Sequence, residues 1–379
     1  MTGVQTCALP IYFGYDLLDY TIVFPIVVGS LTSFIIFGLI RTIGGTSAGL
    51  IGSLLFSISI PIIIRGGLGW FKSEPLGLLF GILGVYFFLS GINDNKKISI
   101  VKISLAGLFS ILGLSSWGGN QFFIILLGLF VLSLPLVKKN KSNLIWQIPI
   151  FSTSIFLTGL IFERTIINFV TSFSGMLIII PTILSMIILI IQIKSKNKLR
   201  NSLIFLFSIT LFLTIFFVII SESNWFQELI PTFRYLNAIN PFLTTTDPLV
   251  DSVAEHATLN INQSFNFHLT LLILGIIGIW ILLKHSLFKN EIISFTLIFG
   301  ILGIYLGSAF MRLEVFTSLA LIIFSSITIS KFLRNMFTKP QTSNVLIISG
   351  LFFILILQLV PLNENNHFSI LTFPPTISN

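Results

Sequence analysis

Glu255 is the side chain of this sequence best placed to do chemistry. It closes the stretch Ser252-Val253-Ala254-Glu255, inside a long polar segment, residues 222–268, of an otherwise apolar chain. A carboxylate there can accept N–H bonds or ligate a hard cation. Its plainer account is a solvated loop acid. Arg65 and Glu74 bracket Gly66-Gly67-Leu68-Gly69-Trp70-Phe71-Lys72-Ser73, and Arg312 stands in Met311-Arg312-Leu313-Glu314. The first of these is also explained as an interfacial turn: glycines allow close backbone approach, Trp70 and Phe71 suit a membrane surface, and Pro75 suits a helix start. Arg312 is also explained by snorkelling or by pairing with Glu314. His256 and His268 are further potential donors, ordinarily solvated in such a segment. Asn262-Gln263-Ser264 is a glycosylation sequon.

The elements that must hold these residues are apolar helices. The chain is 54% hydrophobic and 9% charged, against roughly 25% charged in soluble domains. A bilayer core of about 30 Å takes around 20 apolar residues per helix. Twelve such spans are expected, at 20–40, 47–64, 75–92, 98–116, 121–137, 144–162, 171–193, 201–221, 269–283, 292–310, 313–330 and 344–360. Strands are excluded because an open sheet leaves backbone groups unbonded in lipid. The expectation is an all-α, polytopic membrane protein.

The net charge of +8 does not mark a nucleic-acid binder, because the basic residues sit in short clusters between spans. Alternate loops hold 16 of the 21 Lys and Arg, which makes that side cytoplasmic. Arg65, Lys72, Arg164, Arg234 and Arg312 fall on the other side, together with Glu74 and the 222–268 loop. Both chain ends then lie outside, and the simplest topology adds one upstream helix and an external domain beginning at 361–379. Residues 1–11 match neither a signal peptide nor a span and resemble a translated sequencing adapter, so the transmembrane domain is taken as 12–360. Cys7 is the single cysteine and falls in that foreign segment, which excludes an intramolecular disulfide and a Cys-based metal site.

Four motifs, in order and on one face, carry a resemblance. Ser252-Val253-Ala254-Glu255 fits a Ser/Thr-Val/Ile-x-Glu motif, with Arg234-Tyr235-Leu236-Asn237 upstream. Trp117-Gly118-Gly119 fits a Trp-Gly-Gly turn, which is otherwise explained as a tight turn with an interfacial Trp. Arg65 to Glu74 fits an Arg followed by an aromatic-Asp-x-acid or Asp-x-His element, and Arg312 fits an Arg near a helix end. The chain thus resembles the oligosaccharyltransferase catalytic subunits, archaeal type. That resemblance implies a GT-C glycosyltransferase-type bundle, with about 12 helices in this chain. Lys72 departs from the pattern where an Asp is expected; an ammonium cannot ligate a cation.

The resemblance implies transfer of an oligosaccharide from a dolichol phosphate or pyrophosphate carrier to the Asn of an Asn-x-Ser/Thr acceptor. It makes Glu255 the catalytic carboxylate and puts Arg312 and Arg65 on the donor phosphate. It makes Glu74 and Glu255 the ligands of a divalent cation, Mn²⁺ or Mg²⁺ by the preference of oxygen donors for hard ions. The partners expected are the lipid-linked oligosaccharide, the acceptor protein and the bilayer, with no nucleic acid. The location expected is the cell membrane, with the active face extracellular. Two alternatives stand beside it: another lipid-phosphosugar-dependent GT-C glycosyltransferase, and a transporter, which would show inverted repeats and polar mid-membrane residues.

Overall fold

A computed structural model describes residues 17–67, 70–138, 141–162, 173–194, 197–220, 261–268, 270–284, 290–338 and 349–350. Glu255 with its Ser-Val-Ala-Glu stretch, Arg234, the span expected at 344–360 and both chain ends lie outside them. Among the described residues the structure is helical, without strands. Thirteen α-helices follow in order: α1 Leu17–Gly44, α2 Thr46–Ser57, α3 Ile60–Gly66, α4 Ser73–Gly91, α5 Lys96–Ser116, α6 Gln121–Val137, α7 Leu144–Phe162, α8 Phe173–Lys194, α9 Lys198–Ile220, α10 Ile261–His268, α11 Thr270–Lys284, α12 Glu291–Ala309 and α13 Glu314–Thr338. Short 3-10 turns at Gly118–Asn120 and Met311–Leu313 precede α6 and α13.

Eight of these helices are long and apolar enough to cross a membrane, and the bent pair α2–α3 makes nine. This is a multi-pass membrane protein. The span expected as continuous over 47–64 is broken, with α2 and α3 meeting at 58°. Pro61 is the cause. It disfavours a helical residue before it and suits the first turn of a new helix; Ser59 is the extended N-cap of α3. Gly45, at φ 89°, makes the sharp turn between α1 and α2 that an L side chain would resist.

Helix α13 is central, packing on α11, α12 and α2. Its hydroxyls serve as interhelical bonds, an economical device where lipid offers no hydrogen-bond partner. Ser325 and Thr328 donate to the carbonyls of Leu271 and Leu274 on α11 at 3.2 and 3.0 Å, and the Ser330 and Ser47 hydroxyls meet at 2.6 Å. Helix α4 packs on α1 and α5. At one end of α4 its last free carbonyl, on Ile92, accepts from Lys138 Nζ at 2.8 Å and Gln147 Nε2 at 3.0 Å, which satisfies a helix C-terminus otherwise left bare.

Candidate functional site

At the other end of α4 the three expected residues that lie within the described range come together. Glu74 is in the first turn of α4 and 2% exposed. Helix N-termini favour carboxylates, yet a buried one needs counter-charge. Arg65, in the last turn of α3, supplies one: its Nη1 is 3.5 Å from Glu74 Oε2. Arg312 supplies the other: Nε and Nη2 each lie 3.3 Å from Oε1. These contacts are longer than the roughly 2.8 Å of a tight charge-assisted bond, so the carboxylate holds its guanidiniums loosely. Arg312 keeps 40% of its side chain exposed, against 13% for Arg65. Two guanidiniums thus face one buried carboxylate, and Arg312 is the more accessible of the two.

The pairing sketched as an alternative from sequence, Arg312 with Glu314, gives way to another. Glu314 opens α13 and is buried, with its Oε1 2.5 Å from His268 Nε2. His268 is the last residue of α10, which touches α3. It is therefore not a solvated loop histidine. It ties the downstream end of the polar segment to the base of the Arg312 turn.

An aromatic stack holds the two halves of the cluster in register. Phe316 lies four residues beyond Arg312 and stacks on Phe122 at 4.1 Å and on Trp117 at 5.5 Å between ring centroids. Trp117 is 6% exposed, so it is a core residue rather than the interfacial Trp that the turn suggested. It fits because Gly77 on α4 leaves room: a Cβ there would stand 2.6 Å from Trp117 Cβ and 2.8 Å from Asn120 Nδ2. Asn120 is buried and donates to the Gly113 carbonyl at 2.6 Å, closing α5. The Trp-Gly-Gly-Asn turn thus sets the position of Glu74's helix against Arg312's.

Lys72 is exposed and sits over the Trp70 ring at 4.1 Å, a cation–π contact that turns its ammonium to an aromatic face rather than to a ligand. Phe71 packs edge-on against Tyr20 and Phe24 of α1. Among the described residues no group of three His, Cys, Asp or Glu converges to hold a metal ion. Glu74 is the one expected metal ligand within them, and both its oxygens face arginines. A cation there has to displace at least one guanidinium.

No family model matches the sequence. A curated relative is the dolichyl-diphosphooligosaccharide–protein glycosyltransferase subunit STT3B of Oryza sativa subsp. japonica, 23% identical over 323 residues, which are 83% of this chain and 43% of that protein. Two solved structures are of Archaeoglobus fulgidus oligosaccharyltransferase AglB. The complex with an inhibitory peptide and a dolichol-phosphate superposes with a TM-score of 0.70 at 15% identity, covering 93% of this chain and 45% of that one. The complex with Zn and sulfate gives 0.65 at 14% identity, over 94% and 42%. This is the oligosaccharyltransferase fold. In sequence and in fold the chain resembles the oligosaccharyltransferase catalytic subunits, of GT-C type, and it spans less than half the length of the relatives it matches. Within that fold, the Arg65–Glu74–Arg312 cluster gathers charge at the N-terminal end of α4.

Proposed function

We propose that this chain is an oligosaccharyltransferase catalytic subunit, moving an oligosaccharide from a dolichol phosphate or pyrophosphate to the Asn of Asn-x-Ser/Thr in a partner protein. The observation that carries the proposal is the meeting of Arg65 and Arg312 at the buried carboxylate of Glu74, with Arg312 40% exposed, at one end of an oligosaccharyltransferase fold. The protein sits in the cell membrane with this end extracellular, as the Lys and Arg bias directs.

In the reaction the bond from the sugar's anomeric carbon to the phosphate oxygen breaks and a bond to the Asn amide nitrogen forms. The amide is a poor nucleophile because its lone pair is conjugated into the carbonyl. Glu255, accepting its N–H bonds, orients the nitrogen and takes up the proton it loses. Negative charge grows on the departing phosphate. Arg312 turns from Glu74 to meet it with a planar fork, and Arg65 keeps Glu74 compensated. A divalent cation, Mn²⁺ or Mg²⁺, held by Glu74 and Glu255 would add Lewis-acid stabilisation of the same oxygens.

The test uses the complete gene product with a lipid-linked oligosaccharide and a sequon peptide, read by mass spectrometry. Glycopeptide is expected from the wild type and none from Glu255→Gln, with thermal stability unchanged. Sugar released to water or to another lipid, with no glycopeptide, would overturn the proposal.

A further inference from the structure

A second feature lies at the opposite end of α4. A cavity of about 660 Å³ opens between α1 and α4, with Phe34, Phe37 and Leu83 among its apolar lining. Arg41, Asn93, Asp94 and Lys102 line it too. Its size is within the usual range of about 300–1,000 Å³ for small-molecule sites. Its lining on α4 begins at Leu83, nine residues or about 14 Å beyond Glu74 at 1.5 Å per residue, and includes none of Arg65, Glu74 and Arg312, so it is separate from that cluster.

The charges at the rim are arranged unequally. Lys102 Nζ is fixed by Asp94 Oδ2 at 2.6 Å. Arg41 is exposed, and among the described residues no carboxylate lies within ion-pair distance of it. The rim therefore carries one uncompensated guanidinium beside a neutralised pair. Below it Phe34 is 73% exposed, which in a membrane protein means exposed to acyl chains. An uncompensated cation above a wall of aromatic and aliphatic side chains matches an amphiphile with an anionic head. A soluble anion would leave the wall unused, and a neutral lipid would leave the guanidinium unused.

We infer that this groove binds an anionic phospholipid, with Arg41 on the phosphate and an acyl chain along Phe34 and Phe37. The Lys and Arg bias puts this end on the cytoplasmic side, where anionic lipid head groups concentrate and basic residues attract them. The Asp94–Lys102 pair fixes one side of the rim, and Arg41 selects the charge. The site does not depend on the glycosyl-transfer chemistry.

The test reconstitutes the purified protein in phosphatidylcholine nanodiscs carrying a few per cent of a diazirine-tailed lipid, either phosphatidylglycerol or phosphatidylcholine. After irradiation, labelled peptides are mapped by mass spectrometry. The phosphatidylglycerol probe is expected to label the peptides containing Phe34 and Leu83 more heavily than the phosphatidylcholine probe. Arg41→Gln should lower that labelling about fivefold, the factor a single basic contact with an anionic lipid supplies. It should leave phosphatidylcholine labelling and thermal stability as they were. Equal labelling by both probes would identify ordinary annular lipid and overturn the inference. So would phosphatidylglycerol labelling indifferent to Arg41→Gln, or absence of label because the chain's own residues fill the groove.

Discussion

Arg312 and Glu74 stand 238 positions apart in sequence and meet at 3.3 Å at one end of the bundle. The contact joins the first turn of α4 to the turn before α13, and it predicts how Arg312 behaves. A snorkelling arginine uses its charge and its apolar stem, so Lys would replace it. An arginine that turns from a carboxylate to a phosphate uses its planar fork, and Lys would not. In the complete gene product, Arg312→Lys and Arg312→Ala should both weaken binding of the lipid-linked donor. Losing charge-assisted bonds of this kind costs about 1.5–3 kcal/mol, roughly ten- to a hundredfold in affinity. Acceptor-peptide affinity should stay close to wild type. Equal donor affinity for all three proteins would make Arg312 an anchor.

His268 and Glu314 form a buried pair, and its energetics should differ from those of an exposed one. Removing one partner leaves the other without its counterpart in a dry site, which costs about 3–5 kcal/mol. Replacing both with apolar residues removes the polar demand altogether. His268→Leu and Glu314→Leu should therefore each lower the melting temperature markedly, and the double variant should recover much of the loss. Additive losses in the two single variants would mean that the residues do not act as a unit.

Much of this architecture is readable from the sequence. Helices α6 and α7 begin and end at the residues expected, because apolar runs bounded by polar turns leave lipid-spanning backbone one choice. The meeting of Arg65, Glu74 and Arg312 follows from topology: the Lys and Arg bias puts all three on one face. What composition does not show is pairing within that face. Periodicity says nothing about whether Arg312 turns to Glu314, two residues away, or to Glu74. The burial of His268 and Trp117 is likewise set by neighbours from distant parts of the chain, Glu314 and Phe316. The break between α2 and α3 did have a local signal, the Ser59-Ile60-Pro61 sequence, which uniform hydropathy conceals.

Close approach of α4 to the Trp117 turn rests on Gly77. An added methyl would stand 2.6 Å from Trp117 Cβ, in a core whose side chains have little room to move. Overpacking of this kind costs about 1–3 kcal/mol. Gly77→Ala should lower the melting temperature, whereas Gly66→Ala, where nothing lies within 4 Å of the new methyl, should leave it unchanged or raise it. Equal effects of the two substitutions would remove the packing argument for the Trp-Gly-Gly turn.

At the opposite end of α4, Lys138 gives a prediction in pH. It lies just beyond α6, 7% exposed, with its ammonium on the Ile92 carbonyl. Burial pushes its pKa below the ordinary 10.5, and the negative charge of Glu291 offsets part of that push. A lysine with a lowered pKa in the folded state binds fewer protons there than in the unfolded chain. Stability then rises with pH from the folded pKa up to 10.5. Lys138→Met keeps the apolar stem and removes the titration. The wild type should gain in melting temperature relative to Lys138→Met as pH is raised through the alkaline range, in detergent of fixed composition. The gain should be lost below the lowered pKa, where both states bind the proton. Gln147 also donates to the Ile92 carbonyl, at 3.0 Å, so the end of α4 should stay capped in the variant and the comparison isolates the charge. Parallel melting curves for the two proteins across that range would show that the Lys138 ammonium is as well solvated folded as unfolded.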